Sequence, residues 1–296
     1  MFNKKILILG GNGMLGKDMV NAFIKNGFKN ITYTTRDKPL KINEIKNNKN
    51  VYFLKFNIDK NVESKLKKID KLNFDIIINC IGVVKPRINQ NNIESLKEAI
   101  TVNSIFPHTL RNILNKNTLI FQIATDCVFS GKIGKYNENS LHDADDLYGK
   151  SKSLGEVNAL NFFNLRCSII GEELKNKYSL VEWYLSNQNK KINGFKDHYW
   201  NGVSTNVFSN LICSIIINKI KIPNVLHLTP KNSVSKFNLL RYLENRYKKN
   251  VVIKPFISKN PINRTLSTLF ENVNNEIWNK SIYLKKITIK EIVNTI

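Results

Sequence analysis

Three observations predict an α/β fold, a doubly wound parallel sheet with a smaller α/β lobe at the C-terminal end. Short β-branched runs alternate with helix-length segments through the first half of the chain. Those runs are apolar at consecutive positions, as strands covered on both faces must be. A glycine-rich turn separates the first run from the first helical segment. Alternation of this kind implies parallel strands joined by right-handed crossovers.

The strands expected are residues 5–9 (KILIL), 31–35, 51–56, 75–80 (DIIINC) and 118–124 (TLIFQIA). The helical segments between them are 14–25, 62–72 and 93–114. A further helix is expected over 148–160, followed by a strand at 163–167. After Gly171 the alternation loosens, with helices near 179–186, 207–218 and 236–247 and short strands between them. The division predicted is a dinucleotide-binding domain over 1–166, to which about 201–224 returns, and a lobe made mostly of 167–296. No internal repeat or linker-like stretch interrupts the chain.

Composition narrows the function. A hydrophobic fraction of 42% over 296 residues can bury a sizeable core and is too high for a disordered chain. The longest apolar runs, such as Ile215-Ile216-Ile217, fall far short of the roughly 20 residues that span a bilayer, so membrane insertion is not expected. Residues 1–9 are basic and then apolar, but the apolar part ends at Gly10-Gly11 and a cleavable signal is not expected. Cys80, Cys127, Cys167 and Cys213 have no metal or disulfide spacing, and His108, His142, His198 and His227 are far apart. No metal site is therefore expected, and the thiols fit a reducing cytoplasm. The net charge of +23 comes from 39 Lys against 7 Arg, in a chain that also holds 45 Asn. Both Lys and Asn have AT-rich codons, the lysines are dispersed, and no basic strip is interleaved with aromatics. Nucleic acid is not an expected partner; an anionic metabolite is.

The glycines give the first chemistry. Gly11-x-Gly13-x-x-Gly16 satisfies the dinucleotide fingerprint, and Gly10-x-x-Gly13-x-x-Gly16 its close variant. Glycines there let the backbone approach a pyrophosphate, which rests on amides at the helix N-terminus. The sheet is thus expected to be of Rossmann type. The second strand ends Thr34-Thr35-Arg36-Asp37. Arg36, where NAD sites place an acid, would pair a 2′-phosphate. NADPH is the cofactor expected, with NADH kept as the alternative by Asp37.

Tyr148-x-x-x-Lys152 gives the second. Residues at i and i+4 share a helix face, so Lys152 would sit beside Tyr148 and lower its phenol pKa toward a useful acid–base range. Thr125 and Asp126 lie at the carboxyl end of the strand at 118–124, where open α/β sheets bind ligands. Thr125 can bond a substrate oxygen and assist Tyr148.

On these residues the chain resembles the extended short-chain dehydrogenase/reductases. It is similar in particular to the reductases of nucleotide-linked 4-keto-6-deoxy sugars, typified by the dTDP-4-dehydrorhamnose reductases. The resemblance runs through Gly10–Gly16, 75–82 (DIIINCIG), Asn103 and Pro107, 125–138 (TDCVFSGKIGKYNE) and 147–156 (LYGKSKSLGE). It continues at 164–171 (NLRCSIIG), 202–205 (GVST) and 263–267 (NRTLS). It implies NADPH-dependent reduction of a C4 ketone, dTDP-4-dehydrorhamnose to dTDP-L-rhamnose, for surface polysaccharide. Thr125, Tyr148 and Lys152 match the catalytic set, and Asn103 matches the Asn of a supporting proton relay. Gly10, Gly13, Met14, Leu15 and Gly16 would cradle the pyrophosphate, with Arg36 on the ribose phosphate. Asn57 and Ile58 would lie against adenine, and Cys80, Ile81 and Gly82 would line the cofactor cleft, as would Tyr148 and Lys152. Asp126, Cys127, Trp200 and Arg264 are the implied substrate residues, Trp200 as a stacking surface and Arg264 on a diphosphate.

Departures from the pattern fall in the substrate half. Cys127 stands where the type reductases carry Tyr, the segment 168–174 lacks their aromatics, and Arg264 is followed by Thr265 rather than Pro. A UDP-linked or other nucleotide-linked keto sugar is therefore an alternative substrate, and epimerisation an alternative reaction. Dehydratases of this group need Glu after the Asp, and Cys127 disfavours that chemistry. A non-catalytic nucleotide-binding regulatory subunit is the distant alternative, disfavoured because such relatives tend to lose the Tyr-Lys pair that Tyr148 and Lys152 keep here. A homodimer is among the assemblies the resemblance allows.

Overall fold

The structure is a computed structural model that describes residues 1–41, 45, 48–173 and 178–296. Leu174, the last residue of the segment compared above, lies outside the described residues.

Seven parallel strands form the main sheet: β1 (Ile6–Leu9), β2 (Ile31–Thr35), β3 (Val51–Lys55), β4 (Ile76–Asn79), β5 (Leu119–Ala124), β6 (Phe162–Arg166) and, out of sequence order, β11 (Val225–His227). Their spatial order is β11-β6-β5-β4-β1-β2-β3. The order reverses between β1 and β4, so the crevice at the carboxyl ends of these two strands is the topological switch point.

The continuous apolar runs are explained by burial on both faces. In β1, Ile6 and Ile8 point into one core and Leu7 and Leu9 into the other. The first core is closed by α1 (Met14–Lys25) and the second by α2 (Val62–Asp70), the latter through Leu66 and Ile69. Each such side chain, fully buried, contributes roughly 1.5–3 kcal/mol.

The stretch expected as one helix over 93–114 is divided. It forms α3 (Ile93–Ile100), a π-helical turn at Thr101–Ile105 and α4 (Phe106–Ile113). Pro107 has no N–H to give to the carbonyl of Asn103, four residues back, and Phe106 N donates five residues back to Thr101 O. The helix expected over 148–160 also differs. It is α5 (Leu147–Leu154), which stops at Gly155. A Cβ on Gly155 would lie 1.8 Å from the carbonyl oxygen of Asn103, so α5 and the π turn touch backbone to backbone.

The rest of the chain builds the lobe: β7 (Ile169–Ile170), α6 (Leu180–Leu185), β8 (Lys191–Phe195), β9 (His198–Trp200) and β10 (Val203–Ser204). Next, α7 (Thr205–Ile217) packs on α1 of the main sheet and leads into β11. The return to the sheet thus extends past residue 224 to His227. The lobe resumes with β12 (Val234–Ser235), α8 (Lys236–Tyr247), β13 (Val252–Phe256), β14 (Ile262–Asn263), α9 (Glu271–Asn279) and α10 (Ile289–Val293). A three-stranded sheet of order β12-β9-β14 faces the carboxyl end of β5. No described helix is long and apolar enough to cross a membrane.

Candidate active site

The glycine loop is held by the neighbouring strand. Gly10 N donates to Thr34 Oγ1 (3.1 Å), Gly11 N to Thr34 O (2.7 Å) and Gly13 N to Gly10 O (3.0 Å). Gly10 has φ +83°, which only glycine adopts freely. A Cβ on Gly16 would lie 2.1 Å from Gly10 O, so the first turn of α1 sits directly on the loop. Gly13 caps α1 without a side-chain hydrogen bond, and the first turn, with Met14, Leu15 and Gly16, carries no acid. Uncapped amides at the positive end of a helix suit a phosphate. Arg36 leaves the end of β2 exposed, with no ion pair to any described residue. These residues fit a dinucleotide: an uncapped helix end for its pyrophosphate and a free guanidinium beside it.

Two flanking segments are fixed by contacts within the chain. Asn57 is gripped by Lys65, whose Nζ bonds its carbonyl (3.2 Å) and its side-chain oxygen, and Ile58 beside it is half-buried. On the other flank, Cys80 is pushed up to about 12 by burial and is a neutral packing thiol. Ile81 N donates to Asn79 Oδ1 (3.1 Å), and Ile81 lies against Gly10. Gly82 approaches the Asn103 side chain. Asn103 accepts from Val83 N (2.8 Å) and donates to Val83 O (3.0 Å) and Ser151 Oγ (3.1 Å). Its carboxamide therefore clamps the loop after β4 to α5 and makes no hydrogen bond to Lys152.

Thr125, Tyr148 and Lys152 come together at the carboxyl end of β5. Thr125 Oγ1 accepts from Cys127 N (3.1 Å) and donates to Asp126 Oδ1 (3.1 Å). Asp146 caps α5 by accepting from Gly149 N (3.0 Å), and Lys85 holds its other oxygen (2.9 Å). Gly149 lets the helix meet the 125–128 turn, because a Cβ there would lie 2.3 Å from Cys127 O. Lys152 is buried and its Nζ donates to Ile123 O (2.6 Å). Burial pushes this ammonium down to about 8.

The sequence predicts a lowered phenol for Tyr148; the structure shows the reverse. Burial raises Tyr148, the neighbouring Cys127, Asp126 and Asp146 add to the rise, and the Thr125 side chain opposes it. The Lys152 ammonium donates to the Ile123 carbonyl, and burial of the phenol prevails. Tyr148 is thus protonated at neutral pH.

Asp126 is buried and raised by desolvation, against which Arg264 and Lys236 act from across the cleft. Cys127 is pushed up to about 12 by burial and by Asp126. Arg264 is pinned through Nε to Phe129 O (2.8 Å). Trp200 is only 4% exposed, and its Nε1 donates to Ser168 Oγ (2.7 Å). Its ring packs in the lobe core, beneath Lys236, whose Nζ lies 5.8 Å from the ring centre. Trp200 is accordingly a supporting wall and not the open stacking surface expected.

Lys236 was not expected at the site. Its one sequence signal is the preceding Ser235, which caps α8 by accepting from Asn238 N, and a single Lys among 39 does not stand out. Among the described residues, no group of three or more His, Cys, Asp or Glu side chains is placed to hold a metal ion.

Comparison with known proteins accords with this geometry. The family model for the RmlD substrate binding domain matches residues 4–267. A dTDP-4-dehydrorhamnose reductase from Bacillus anthracis, solved in complex with NADP, superposes with a TM-score of 0.74 at 18% identity, over 99% of this chain and 98% of that one. UDP-glucuronic acid 4-epimerase from Bacillus cereus, in complex with NAD, gives a TM-score of 0.75 at 15% identity, over 98% and 94%. At such identities these two show the shared fold. Methionine adenosyltransferase 2 subunit beta of Danio rerio is 27% identical over 154 residues, 52% of this chain and 42% of that protein. The chain belongs to the RmlD substrate-binding-domain family, an extended short-chain dehydrogenase/reductase with the fold of nucleotide-sugar reductases and epimerases.

Proposed function

We propose that this protein reduces the C4 ketone of a nucleotide-linked 4-keto-6-deoxy sugar with NADPH. The substrate we favour is dTDP-4-dehydrorhamnose, giving dTDP-L-rhamnose for surface polysaccharide, in the cytoplasm. The observation that carries the reading is the meeting of Thr125, Tyr148 and Lys152 at the carboxyl end of β5, in the same parallel sheet whose first strand leads into an uncapped glycine loop. The dinucleotide, when bound, supplies a hydride. The protein's own residues do the rest. Thr125 and Tyr148 hydrogen-bond the ketone oxygen and fix its distance from the cleft. Tyr148, protonated at rest, gives its proton to that oxygen as charge develops on it. Lys152, largely protonated at neutral pH, stabilises the phenolate left behind. The NADP complex of the Bacillus anthracis structure and the exposed Arg36 both favour NADPH. The Bacillus cereus epimerase, with NAD, keeps NADH as the alternative. Arg264 would take the diphosphate through its free guanidinium nitrogens.

The test is a substrate panel followed by cofactor absorbance. Stoichiometric NADPH oxidation with dTDP-4-keto-6-deoxy sugar is the expected result. Oxidation only with the UDP-linked sugar would keep the reaction and change the nucleotide. An isomerised sugar with cofactor unchanged would make the protein an epimerase. One observation favours a second reading: the resemblance to the beta subunit of a methionine adenosyltransferase is that of a partner within another enzyme. Cofactor binding with no turnover, and a co-purifying enzyme, would establish it. A homodimer is the assembly we propose for the reductase.

A further inference from the structure

Three polar groups in the cleft have unused bonding capacity. Asp126 is 6% exposed; its Oδ1 accepts from Thr125 Oγ1 (3.1 Å) and Cys127 Sγ (3.6 Å), while Oδ2 has no hydrogen-bond partner among the described residues. Lys236 is half-buried and makes no hydrogen bond or ion pair within 4.0 Å to any described residue; its ammonium is held only over the Trp200 ring at 5.8 Å. Arg264 uses Nε alone, on Phe129 O at 2.8 Å. These charges act on one another without closing into ion pairs.

The fold delivers them together. β12 and β14 pair with β9 on its two sides, Val234 with Trp200 and Asn263 with Tyr199. Lys236 and Arg264 follow directly from these two strands, and Asp126 opens the turn after β5. A half-buried ammonium and a buried carboxylate that stop short of each other are costly when left unfilled. A group that both donates and accepts would satisfy both at once. A sugar hydroxyl does this; a sugar carboxylate offers Asp126 no proton and sets like charges together.

We propose that Lys236 is a specificity-determining residue that, with Asp126, hydrogen-bonds a ring hydroxyl of a neutral nucleotide-linked sugar. The proposal rests on the nucleotide-sugar reading and adds the part of the sugar that is read. Lys236 donates to the hydroxyl oxygen, and the hydroxyl donates to Asp126 Oδ2.

The test is calorimetry on protein saturated with NADP⁺, which requires no turnover. The ligands are dTDP-rhamnose, its 2-deoxy and 3-deoxy analogues, and the UDP-linked counterparts. Hydrogen bonds to charged groups translate to about tenfold or more in affinity. Lys236→Met is expected to weaken the parent ligand about tenfold and leave one deoxy analogue unchanged, since that analogue already lacks the contact. Lys236→Arg should recover most of the loss, and NADP⁺ affinity should be the same in all three proteins. Equal losses for parent and both analogues, or no loss, would overturn the proposal alone. A wild-type protein that binds no sugar nucleotide would overturn both it and the nucleotide-sugar reading.

Discussion

Tyr148 illustrates how a single residue's state follows from its neighbours rather than its sequence partner. The i, i+4 spacing does bring Lys152 onto the same helix face, but the ammonium donates to Ile123 O and leaves the phenol to the effect of burial. The resting site is therefore a neutral phenol beside a cation, poised to give a proton rather than to take one. Replacing Tyr148 by Phe removes the proton donor and no cofactor-loop contact. Reduction should fall by roughly 10²–10⁴-fold, the range for general acid catalysis, with NADPH affinity kept when measured by cofactor fluorescence. Near-wild-type turnover in that variant would remove Tyr148 from the chemistry. Tyr148 and Lys152 were legible in the sequence because a spacing encodes them, and Thr125 because it follows the end of an apolar strand. Lys236 was not, because its significance lies in Trp200 beneath it and Asp126 across from it, and neither is near it in the chain.

At the scale of elements, the contact between α5 and the π turn positions the helix that carries Tyr148 and Lys152. Three features meet there. Pro107 releases the Asn103 carbonyl from the helix, Gly155 brings the end of α5 against that carbonyl, and the Asn103 side chain bonds Ser151 one turn earlier. Each requires its own residue type: an imino acid, a residue without Cβ, a carboxamide. Gly155→Ala forces a methyl to 1.8 Å from Asn103 O, where backbone on both sides has little freedom to move. A loss of about 3 kcal/mol, a Tm drop of roughly 5–10 °C, is expected from thermal unfolding of that variant. A Tm within a degree of wild type would show that the helices are not in backbone contact. The strands and first helices were legible from apolar periodicity, since β1 alternates its side chains between two cores. The break at 101–105 was missed because Ile93 to Leu114 keeps a helical apolar pattern; Pro107 was its one local signal, and the contacts at Asn103 and Gly155 that complete it are tertiary.

For the whole molecule, a buried polar network joins lobe to sheet. Arg166 on β6 pairs with Glu156 through two bonds (2.8 and 2.6 Å) and meets His227 Nε2 at 3.1 Å. His227 Nδ1 lies 2.7 Å from Ser267 O, so the ring is the neutral Nδ1–H tautomer, accepting from Arg166 and donating to Ser267. Glu138 accepts from His227 N, Thr268 Oγ1 and Leu269 N at 2.9, 2.6 and 2.8 Å. Burial lowers His227 to about 4 from an ordinary value near 6.5. Between those values the unfolded chain binds the proton and the folded one does not. Stability is therefore full above about pH 6.5 and declines as the pH falls toward 4. Unfolding followed across that window should show this slope in the wild type and a flatter one in His227→Asn, whatever the latter's overall stability. Identical slopes would contradict the tautomer assigned to His227. The network's members span residues 138 to 269, so no local spacing announces it, although Arg166 could be placed at a strand end from sequence.

The proposed reduction carries a hydride from cofactor to sugar and leaves it there, and isotope transfer tests this most directly. The protein would be incubated with dTDP-4-keto-6-deoxy sugar and NADPH deuterated at the transferring position of the nicotinamide, and the product examined by NMR. Deuterium bonded to C4 of the reduced sugar, one atom for each NADPH consumed, is the result expected. An isomerised sugar without deuterium, formed while the NADPH remains intact, would contradict the claim.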